Sequence, residues 1–516
     1  MVVEQLVGGF ANILTNPLNL FVFAVALTLG LFSGAIPGMN GTMTVVLMIP
    51  ITFSMDPVTA IMMLSVIYAA AVYAGSISAI MFKVPGAPEA IMTTLDGYPM
   101  NQRGELKRAI RTAVFSSAFG GVVGTIILIF FSPVLSDLAT QLSDPEYFAV
   151  IVLGLALIST IGSGNVVKST MTLSIGLFLG TVGLDPLQSM QRFTFGFELL
   201  QSGVSLIPVI LGLFAVTEVL KQVYTGGHML GESDEDTGGF QLRDLVPPFR
   251  YIKRFPKLLS VNSVLGTMIG ILPGAGATTG ALFGYTFGQR IVPKSVREKF
   301  GTGVQEGIVA PESANNAAAS GAFVPLLTLG IPGSATTAVI LAAFILHGIR
   351  PGPELLTTQG TLVYTIFAAL LLANVTMLLA NQPFVSIFTK IRHLPRPILL
   401  MLIMAFTIIG SYATRNIMFD LWLMLLFGLV GFLFERYNYS IAPLIIGLVL
   451  GPLAEPALRR GLIKAQGEYI VFLQRPISAV LIIAAVLVFF IPLIQDSGIV
   501  GKIVDRLFRD GGEVKP

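Results

Sequence analysis

The sequence predicts an all-α membrane protein that crosses the bilayer many times. We expect two inverted repeats, each with a re-entrant hairpin and a transmembrane helix broken at Pro-Gly. Of the 516 residues, 54% are hydrophobic and only 11% are charged, whereas about 25% are charged in soluble proteins. Pro-Gly pairs interrupt apolar runs of membrane-spanning length and recur in the same order in the second half of the chain. The sequence shows none of the roughly ten-residue alternating strands of a membrane β-barrel.

The first half begins with an apolar run over residues 18–54, which is too long for one helix and carries Pro37-Gly38 at its centre. We expect a re-entrant hairpin there, because exposed backbone inside a membrane is tolerated only where protein or water covers it. The next run, 58–98, is predicted to be a transmembrane helix broken at Pro85-Gly86. Further spans complete a repeat over residues 1–224, near 112–132, 147–163, 167–183 and 204–223.

A polar segment over residues 225–257 is predicted to be a cytoplasmic linker between the halves. The second repeat, 258–500, starts with a hairpin over 258–289, broken at Pro273-Gly274. It continues with a helix over 308–347, broken at Pro332-Gly333. Further spans are predicted near 361–382, 398–413, 418–434, 441–457 and 477–494, and a tail covers 501–516.

Three pairs of motifs, in the same order in both halves, indicate the internal repeat. The tip IPGMNGTMT of the first hairpin matches LPGAGATTG of the second, and the break VPG matches the break IPG. SIGLFLGTVGLDP (174–186) matches IIGLVLGPLAEP (445–456). Each broken helix is expected to lead into a turn, at Asp96-Gly97 in the first half and at His347-Gly348 in the second.

Lysine and arginine, which favour the cytoplasmic side of a membrane, orient the repeats. The first hairpin has neither residue at its ends, so both ends are predicted outside. The second lies between the basic segments 253–257 and 290–299, so both of its ends are predicted inside. The broken helices also run in opposite directions, because the first leads to the basic 103–111 loop and the second starts from 290–299. Opposite orientation of equivalent elements defines inverted repeats, whose hairpin tips are expected to meet near the middle of the membrane.

The broken helices predict a binding site. The start of each half-helix exposes N–H donors for a carboxylate, and the end of each exposes carbonyl ligands for Na⁺. The alternative is that the small residues at these places only allow close helix packing. The predicted substrate-binding residues lie at the two tips and the two breaks: Pro37, Gly38, Asn40, Thr42, Pro85, Gly86, Pro273, Gly274, Thr278, Thr279, Pro332, Gly333, Ser334 and Thr336.

A polar cluster precedes the second break. Glu312, Asn315 and Asn316 are spaced so that they share one helix face. A carboxylate at membrane depth marks an ion or proton path or makes a structural bond, unless it lies at the interface and caps backbone groups. Three further residues are predicted to bind the ion or to be structural: Ser76, Ser78 and Thr337.

Enzymatic chemistry is not predicted. The chain has no cysteine and only three histidines, which lack ligand spacing, so we expect no metal other than Na⁺ and no cofactor. No nucleotide-binding motif is present, so we do not expect direct ATP-driven transport by this chain. The expected partners include no nucleic acid. A passive channel is the alternative to a transporter, because broken helices also build selectivity filters.

Four stretches carry a resemblance to a known family: IPGMNGTMT (36–44), 56–99, 301–353 and LGPLAEPALRRGL (450–462). At these residues the chain closely resembles the large membrane subunit of tripartite tricarboxylate transporters, the TctA type. The plan of hairpin and broken helix also resembles the wider ion-transporter superfamily, whose members move substrate by an elevator-like motion. Two places differ from the family's usual residues. Met39-Asn40-Gly41-Thr42 replaces a Leu-Gly-Pro-Thr type of tip, and Lys83 replaces a neutral residue.

The resemblance implies a symporter of the bacterial inner membrane. It would take up carboxylates, such as the tricarboxylate citrate, from a periplasmic binding protein of the TctC type. Its other partner would be a small membrane subunit of the TctB type, and its energy would come from a Na⁺ or H⁺ gradient. An aromatic acid or another small metabolite is the alternative substrate, and exposed glycine-rich helix faces suit either a homodimer or the small subunit. Lys83 either pairs with an anionic substrate or extends to the membrane interface.

Overall fold

The structure, a computed structural model, describes residues 2–36, 39–161, 165–225, 253–391 and 396–496. Pro37 and Gly38 of the predicted site, most of the predicted linker and the predicted tail lie outside these residues. The described part is almost wholly helical, apart from one antiparallel pair of short strands, β1 (Gly183–Leu184) and β2 (Gln191–Arg192). Eight of its helical stretches are long and apolar enough to cross a membrane, as expected for a multi-pass all-α membrane protein.

The chain forms two compact units, each made of two separate segments. Unit 1 comprises Met1–Gln141 and Val204–Tyr437, and unit 2 comprises Leu142–Gly203 and Asn438–Pro516. Each unit therefore takes segments from both predicted repeats. The repeat boundaries, the re-entrant course of the hairpins and the inverted orientation stay predictions, because compactness tests none of them.

Unit 1 begins with three helices, α1 (Val2–Leu14), α2 (Pro17–Ala35) and α3 (Gly41–Thr52). The last two cover the predicted first hairpin and lie on either side of its tip. Asn40 caps α3, because its side-chain oxygen accepts a hydrogen bond from the Met43 N–H at 2.8 Å.

The predicted first broken helix consists of α4 (Pro57–Phe82) and α5 (Ile91–Gln102), with a short 3₁₀ turn at Pro88–Ala90 before α5. α6 (Leu106–Thr140) follows. The membrane-spanning part of α4 is completely buried inside the protein. α4 is therefore the central helix of unit 1, and its residues face other helices rather than lipid.

The turn predicted at Asp96-Gly97 was wrong, because both residues lie inside α5. An Asp-Gly pair favours a turn when its groups face water. Here the Asp96 side chain is fully buried and accepts hydrogen bonds from another segment of the chain, so tertiary contacts override the local preference.

The remaining first-half part of unit 1 is one helical stretch made of α9 (Leu206–Leu211), a π-helical segment (Gly212–Val216) and α10 (Thr217–Tyr224). The predicted span of 204–223 is confirmed with nearly the same ends. The π segment starts at Gly212, where a side chain would overlap the backbone of another helix of unit 1.

The predicted second hairpin is covered by α11 (Pro256–Ile271) and α12 (Gly276–Ile291), and the short helix α13 (Lys294–Arg297) follows. The predicted second broken helix begins with α14 (Glu306–Gly321) and α15 (Phe323–Leu329). It resumes after the Pro-Gly break.

The helix after that break is α16 (Ala335–Leu346). The turn predicted at His347-Gly348 is confirmed, since α16 ends at Leu346 and Gly348 has a φ of +73°.

Unit 1 ends with α17 (Leu355–Thr358), α18 (Gly360–Ile391), α19 (Arg396–Arg415) and α20 (Met418–Arg436). Within unit 1, α19 packs on α3 and α20 packs on the π segment. Both α19 and α20 are long and apolar enough to span a membrane.

Unit 2 contains two helices of the first half, α7 (Asp144–Ile161) and α8 (Val166–Gly180), which the strands and a 3₁₀ turn at Glu198–Leu200 follow. Its second-half helices are α21 (Ala442–Lys464), α22 (Val471–Gln474) and α23 (Pro476–Asp496). Ion pairs join these elements, and they include Arg192–Glu455, Arg459–Asp185, Arg460–Asp144, Lys464–Asp144 and Arg475–Glu146.

The third pair of matched motifs forms a helix crossing in unit 2. A side chain at Gly176 of α8 would overlap the Leu444 carbonyl of α21, and one at Gly447 would lie 2.5 Å from the Leu173 carbonyl oxygen. Matched glycines from the two halves therefore allow each other's helix to approach closely.

Candidate functional site

The candidate site lies in unit 1, where helix starts from different halves of the chain meet. The hydroxyl oxygens of Thr42 on α3 and Thr336 on α16 are 2.6 Å apart. The Gly276 N–H at the start of α12 donates to the Gly333 carbonyl oxygen at 3.1 Å. α3 also packs on α16, and α12 packs on the 3₁₀ turn after the first break. The bond from Gly276 joins the second hairpin to the break of its own half, whereas these two helix packings place the second helix of each hairpin against the segment after the other half's break.

The start of α16 is held by a reciprocal cap. The Ser334 hydroxyl accepts from the Thr337 N–H at 3.1 Å, and the Thr337 hydroxyl accepts from the Ser334 N–H at 2.8 Å. The Tyr68 hydroxyl of the central helix α4 lies 3.4 Å from the Ser334 hydroxyl. Ser334 and Thr337 are thus positioned by their own helix start, and Thr336 contacts the opposite hairpin.

The second hairpin tip adopts two left-handed conformations, with a φ of +78° at Gly274 and +61° at Gly276. Glycine suits both positions because other residues are strained there. Pro273 and Thr279 are half-buried, and Thr278 is exposed. The structure therefore places Thr278 differently from Thr42, its match in the sequence, which contacts Thr336.

The glycines of the two breaks make equivalent contacts. A side chain at Gly86 would overlap the Gly34 carbonyl of α2, and one at Gly333 would lie 2.7 Å from the Gly270 carbonyl oxygen of α11. Each break therefore lies against the first hairpin helix of its own half. At Gly86 and Gly333 this contact favours the packing interpretation, whereas Pro85 and Pro332 remove backbone donors from the same two breaks.

Glu312 is fully buried between helices of both halves. Its carboxylate accepts hydrogen bonds from the hydroxyls of Thr93 on α5 and Ser117 on α6, the second at 2.6 Å. Side-chain hydroxyls rather than backbone N–H groups hold the carboxylate. Glu312 therefore does not cap backbone at an interface, which was the alternative interpretation.

The two asparagines beside Glu312 carry buried acceptors. The Asn315 amide donates to the Glu89 backbone carbonyl at 3.4 Å, which joins α14 to the turn after the first break. The Oδ1 atoms of Asn315 and Asn316 are buried and have no hydrogen-bond partner among the described residues. A buried acceptor without a partner costs about 1–3 kcal/mol, so these oxygens suit a ligand that supplies positive charge.

Comparisons with known proteins identify the family of the chain. Residues 20–446 match the family described as "Tripartite tricarboxylate transporter TctA family". The chain belongs to the tripartite tricarboxylate transporter TctA family. This membership confirms the resemblance carried by the sequence motifs. A TctA-family chain is the large membrane subunit of a transporter whose other parts are of the TctB and TctC types, which indicates a transport protein rather than an enzyme.

Two curated relatives come from Agrobacterium vitis. An "uncharacterized 52.8 kDa protein in TAR-I ttuC' 3'region" is 36% identical over 498 residues, which are 96% of this chain and 97% of the relative. An "uncharacterized protein in TAR-II ttuC' 3'region" is 40% identical over 217 residues, which are 42% of this chain and 89% of that relative. No solved structure matches the chain.

Three predicted residues of the TctA-family chain lie beside the site without joining its contacts. Ser76 and Ser78 are buried on α4, and each hydroxyl donates to a carbonyl of its own helix. Lys83 ends α4 in a left-handed conformation, is exposed, and has its ammonium 5.7 Å from the Tyr98 ring centre. The contacts of Lys83 are thus with the protein's own surface.

Four functional candidates are missing from the sequence prediction: Tyr68, Glu89, Thr93 and Ser117. Tyr68, Thr93 and Ser117 lie outside the predicted tips and breaks, and a hydroxyl within a helix commonly bonds to a carbonyl of its own helix. Glu89 has a detectable signal, because it is an acidic residue directly after Pro88 at a predicted break.

Proposed function

We propose that the chain imports small di- or tricarboxylates, such as citrate, across the bacterial inner membrane together with Na⁺ or H⁺. The observation that carries the proposal is the meeting of two helix starts from different halves. Thr42 and Thr336 each occupy the second position of a helix, and their hydroxyl oxygens are 2.6 Å apart. Two positive helix ends therefore point at one place, which favours an anion.

The caps leave donors for that anion. Asn40 and Ser334 each accept from the third amide of their helix, at Met43 and Thr337. The first two N–H groups of each helix have no acceptor within the helix. Two such pairs suit a substrate with two or three carboxylates better than one with a single acidic group.

The coupling cation is assigned to the cluster on α14. Glu312 supplies negative charge, and Asn315 and Asn316 supply buried amide oxygens without partners among the described residues. Carboxylate and amide oxygens are ligands for hard cations, and the same carboxylate binds a proton where H⁺ is the coupling ion.

We further propose alternating access by an elevator-like motion. All predicted site residues belong to unit 1, as movement of the complete site within one unit requires. A periplasmic binding protein of the TctC type would deliver the substrate to the outer end. The equivalent glycine contacts at the two breaks support this proposal, because a repeated architecture offers two similar arrangements of the same elements.

Uptake of labelled citrate into proteoliposomes tests the proposal. The vesicles contain the chain with its TctB-type subunit, the binding protein is added outside, and Na⁺ and H⁺ gradients are imposed separately. We expect accumulation above equilibrium that depends on one gradient. Thr42→Val and Thr336→Val should lower uptake at least tenfold, because each removes a hydroxyl at the meeting point.

Thr286→Val is the matched control, since Thr286 is exposed and its hydroxyl donates to its own helix. Equilibration that ignores both gradients would favour a channel. Accumulation of an aromatic acid but not of citrate would replace the substrate class and keep the mechanism.

A further inference from the structure

Asp96 is a buried carboxylate without a role in the proposed site. It accepts more hydrogen bonds than any other carboxylate in the described part of unit 1. Its Oδ1 accepts from the Gly303 N–H at 2.8 Å and the Val304 N–H at 2.9 Å. The Gly301 N–H lies 3.0 Å from both carboxylate oxygens. The Tyr285 hydroxyl of α12 donates to Oδ2 at 2.9 Å.

The loop that donates these bonds is shaped for an anion. Gly301 and Gly303 have φ values of +81° and +97°, which turn successive N–H groups toward one point. Arg103, the residue that ends α5, also binds the carbonyls of this loop, because its guanidinium donates to Thr302 at 3.1 Å and to Gly303. Asp96 and Arg103 thus hold the donors and the acceptors of the 301–304 loop from one helix.

A close approach makes this contact possible. A side chain at Gly307, in the first turn of α14, would overlap the Asp96 carboxylate. The position therefore needs glycine for Asp96 to reach the loop. The 301–304 loop leads directly into α14, so the contact determines how α5 lies along α14.

Three contacts show that α5 and α14 run antiparallel in one register. Asp96 contacts Val304, two residues before α14, and Thr93 contacts Glu312. The carbonyl of Glu89, two residues before α5, accepts from Asn315. Residue numbers fall from 96 to 89 along the first segment as they rise from 304 to 315 along the second, so the two segments run in opposite directions. A shift of α5 by one residue would rotate Thr93 away from Glu312, because neighbouring helix positions point about 100° apart.

We propose that Asp96 is a positioning residue for the cation site. By binding the 301–304 loop, Asp96 holds α5 in the register that brings Thr93 to Glu312. A carboxylate suits this role because it only accepts hydrogen bonds, can accept four and strengthens them by its charge, whereas an asparagine has one acceptor oxygen and no charge. The cation part of this inference rests on the proposed function, and the contact with the loop does not.

Hydrogen exchange tests the contact independently of transport. We expect Asp96→Asn to increase exchange of the Gly301, Gly303 and Val304 amides at least tenfold, because asparagine removes the negative charge and one of the two acceptor oxygens, which weakens the bonds from these amides. Asp137→Asn is the matched control, since Asp137 is exposed. Unchanged protection of the three amides in a folded Asp96→Asn protein would overturn the inference.

The effect on the cation site is measured as the Na⁺ concentration that half-maximally stabilises the purified complex against heat, with choline keeping the ionic strength constant. Asp96→Asn should raise that concentration about tenfold, as expected for loss of one hydrogen bond to a charged group. Thr93→Val should have a similar effect, and Thr93→Ser should restore wild-type affinity. The double variant should equal either single one, because both act on the same contact with Glu312.

Additive effects of the two substitutions would show that Asp96 does not act through Thr93 and would overturn the positioning role. If Asp96→Asn does not fold, Tyr285→Phe removes only the bond to Oδ2 and should give the same changes at smaller size. A wild-type protein that no cation stabilises would remove the cation part of the proposed function, and amide exchange alone would then decide the contact with the loop.

Discussion

Replacing Glu312 with glutamine tests whether the buried carboxylate binds the coupling cation. Glutamine keeps the size of the side chain and one acceptor, and its amide can donate to a second hydroxyl oxygen. The buried hydroxyls of Thr93 and Ser117 therefore keep partners. Without cation, we expect the stability of Glu312→Gln to fall by at most about 1 kcal/mol. The negative charge that attracts a cation is lost.

The expected difference appears when the cation is added. A cation at 100 times its dissociation constant adds about 2.7 kcal/mol to the free energy of unfolding of a protein that binds it only when folded. Glu312→Gln should lose most of this gain. Heat unfolding of the complex in detergent measures it, with Na⁺ replaced by choline at constant ionic strength and with pH varied separately.

Two further variants separate the charge from its surroundings. Glu354→Gln makes the same chemical change at an exposed position and should keep the full gain. Glu312→Ala leaves two buried hydroxyls without their acceptor and should cost about 1–3 kcal/mol for each one left unpaired, with or without cation. A Glu312→Gln protein that keeps the whole cation-dependent gain would refute the assignment of the cation to this carboxylate.

Three other predictions concern packing and charge. Gly86→Ala should destabilise the protein by about 1–3 kcal/mol through overlap with Gly34, whereas Gly8→Ala, which meets open space on α1, should stabilise it by up to about 1 kcal/mol. Chemical denaturation compares the two variants, and equal stabilities would contradict the close contact. Arg415→Gln should lower the free energy of unfolding by about 3–5 kcal/mol, because it leaves the buried Asp420 carboxylate without its ion pair. In the same assay, the double variant Arg415→Gln/Asp420→Asn should be destabilised less, because it leaves no unpaired buried charge. The hydrogen bond from Arg459 lowers the pKa of Asp185 to about 2. The ionised Asp185 side chain therefore stabilises unit 2 above about pH 4, and this stabilisation is lost as the pH falls toward 2. Thermal unfolding of wild type and Asp185→Asn should therefore differ most near neutral pH and converge in acid, and a constant difference would contradict the ion pair.

The sequence predicts the helix boundaries well where proline and glycine act locally. The predicted hairpin over 258–289 is close to the observed helices α11 and α12, which end and begin on either side of Pro273-Gly274. The broken helices also break at the predicted pairs. Proline removes a backbone donor and glycine lowers helix stability, and the two effects add where the residues are adjacent, as at these breaks, whereas the single prolines Pro50 and Pro133 lie inside helices.

Contacts between distant segments could not be predicted from the same signals. Asp96-Gly97 has the composition of a turn, and only the 301–304 loop explains why it is helical. Thr42 matches Thr278 by motif, yet it contacts Thr336. Repeats in a sequence relate equivalent positions, and they do not say which position of one half contacts which position of the other.

The two halves share an architecture and differ in the chemistry they add to it. Gly34 lies against Ala71 in the first half as Gly270 lies against Ala318 in the second, which aligns α4 with α14. In that alignment Tyr68 corresponds to Asn315.

Tyr68 and Asn315 each contact the segment after the break of the other half. The Tyr68 hydroxyl lies 3.4 Å from the Ser334 hydroxyl, and the Asn315 amide nitrogen lies 3.4 Å from the Glu89 carbonyl oxygen. Of the two matched helices, only α14 carries a buried carboxylate, Glu312, and its partners Thr93 and Ser117 come from the first half. An architecture with two equivalent breaks thus carries one acidic cluster, so the proposed cation and the proposed carboxylate take chemically distinct places within unit 1, and neither half can form the cation site alone.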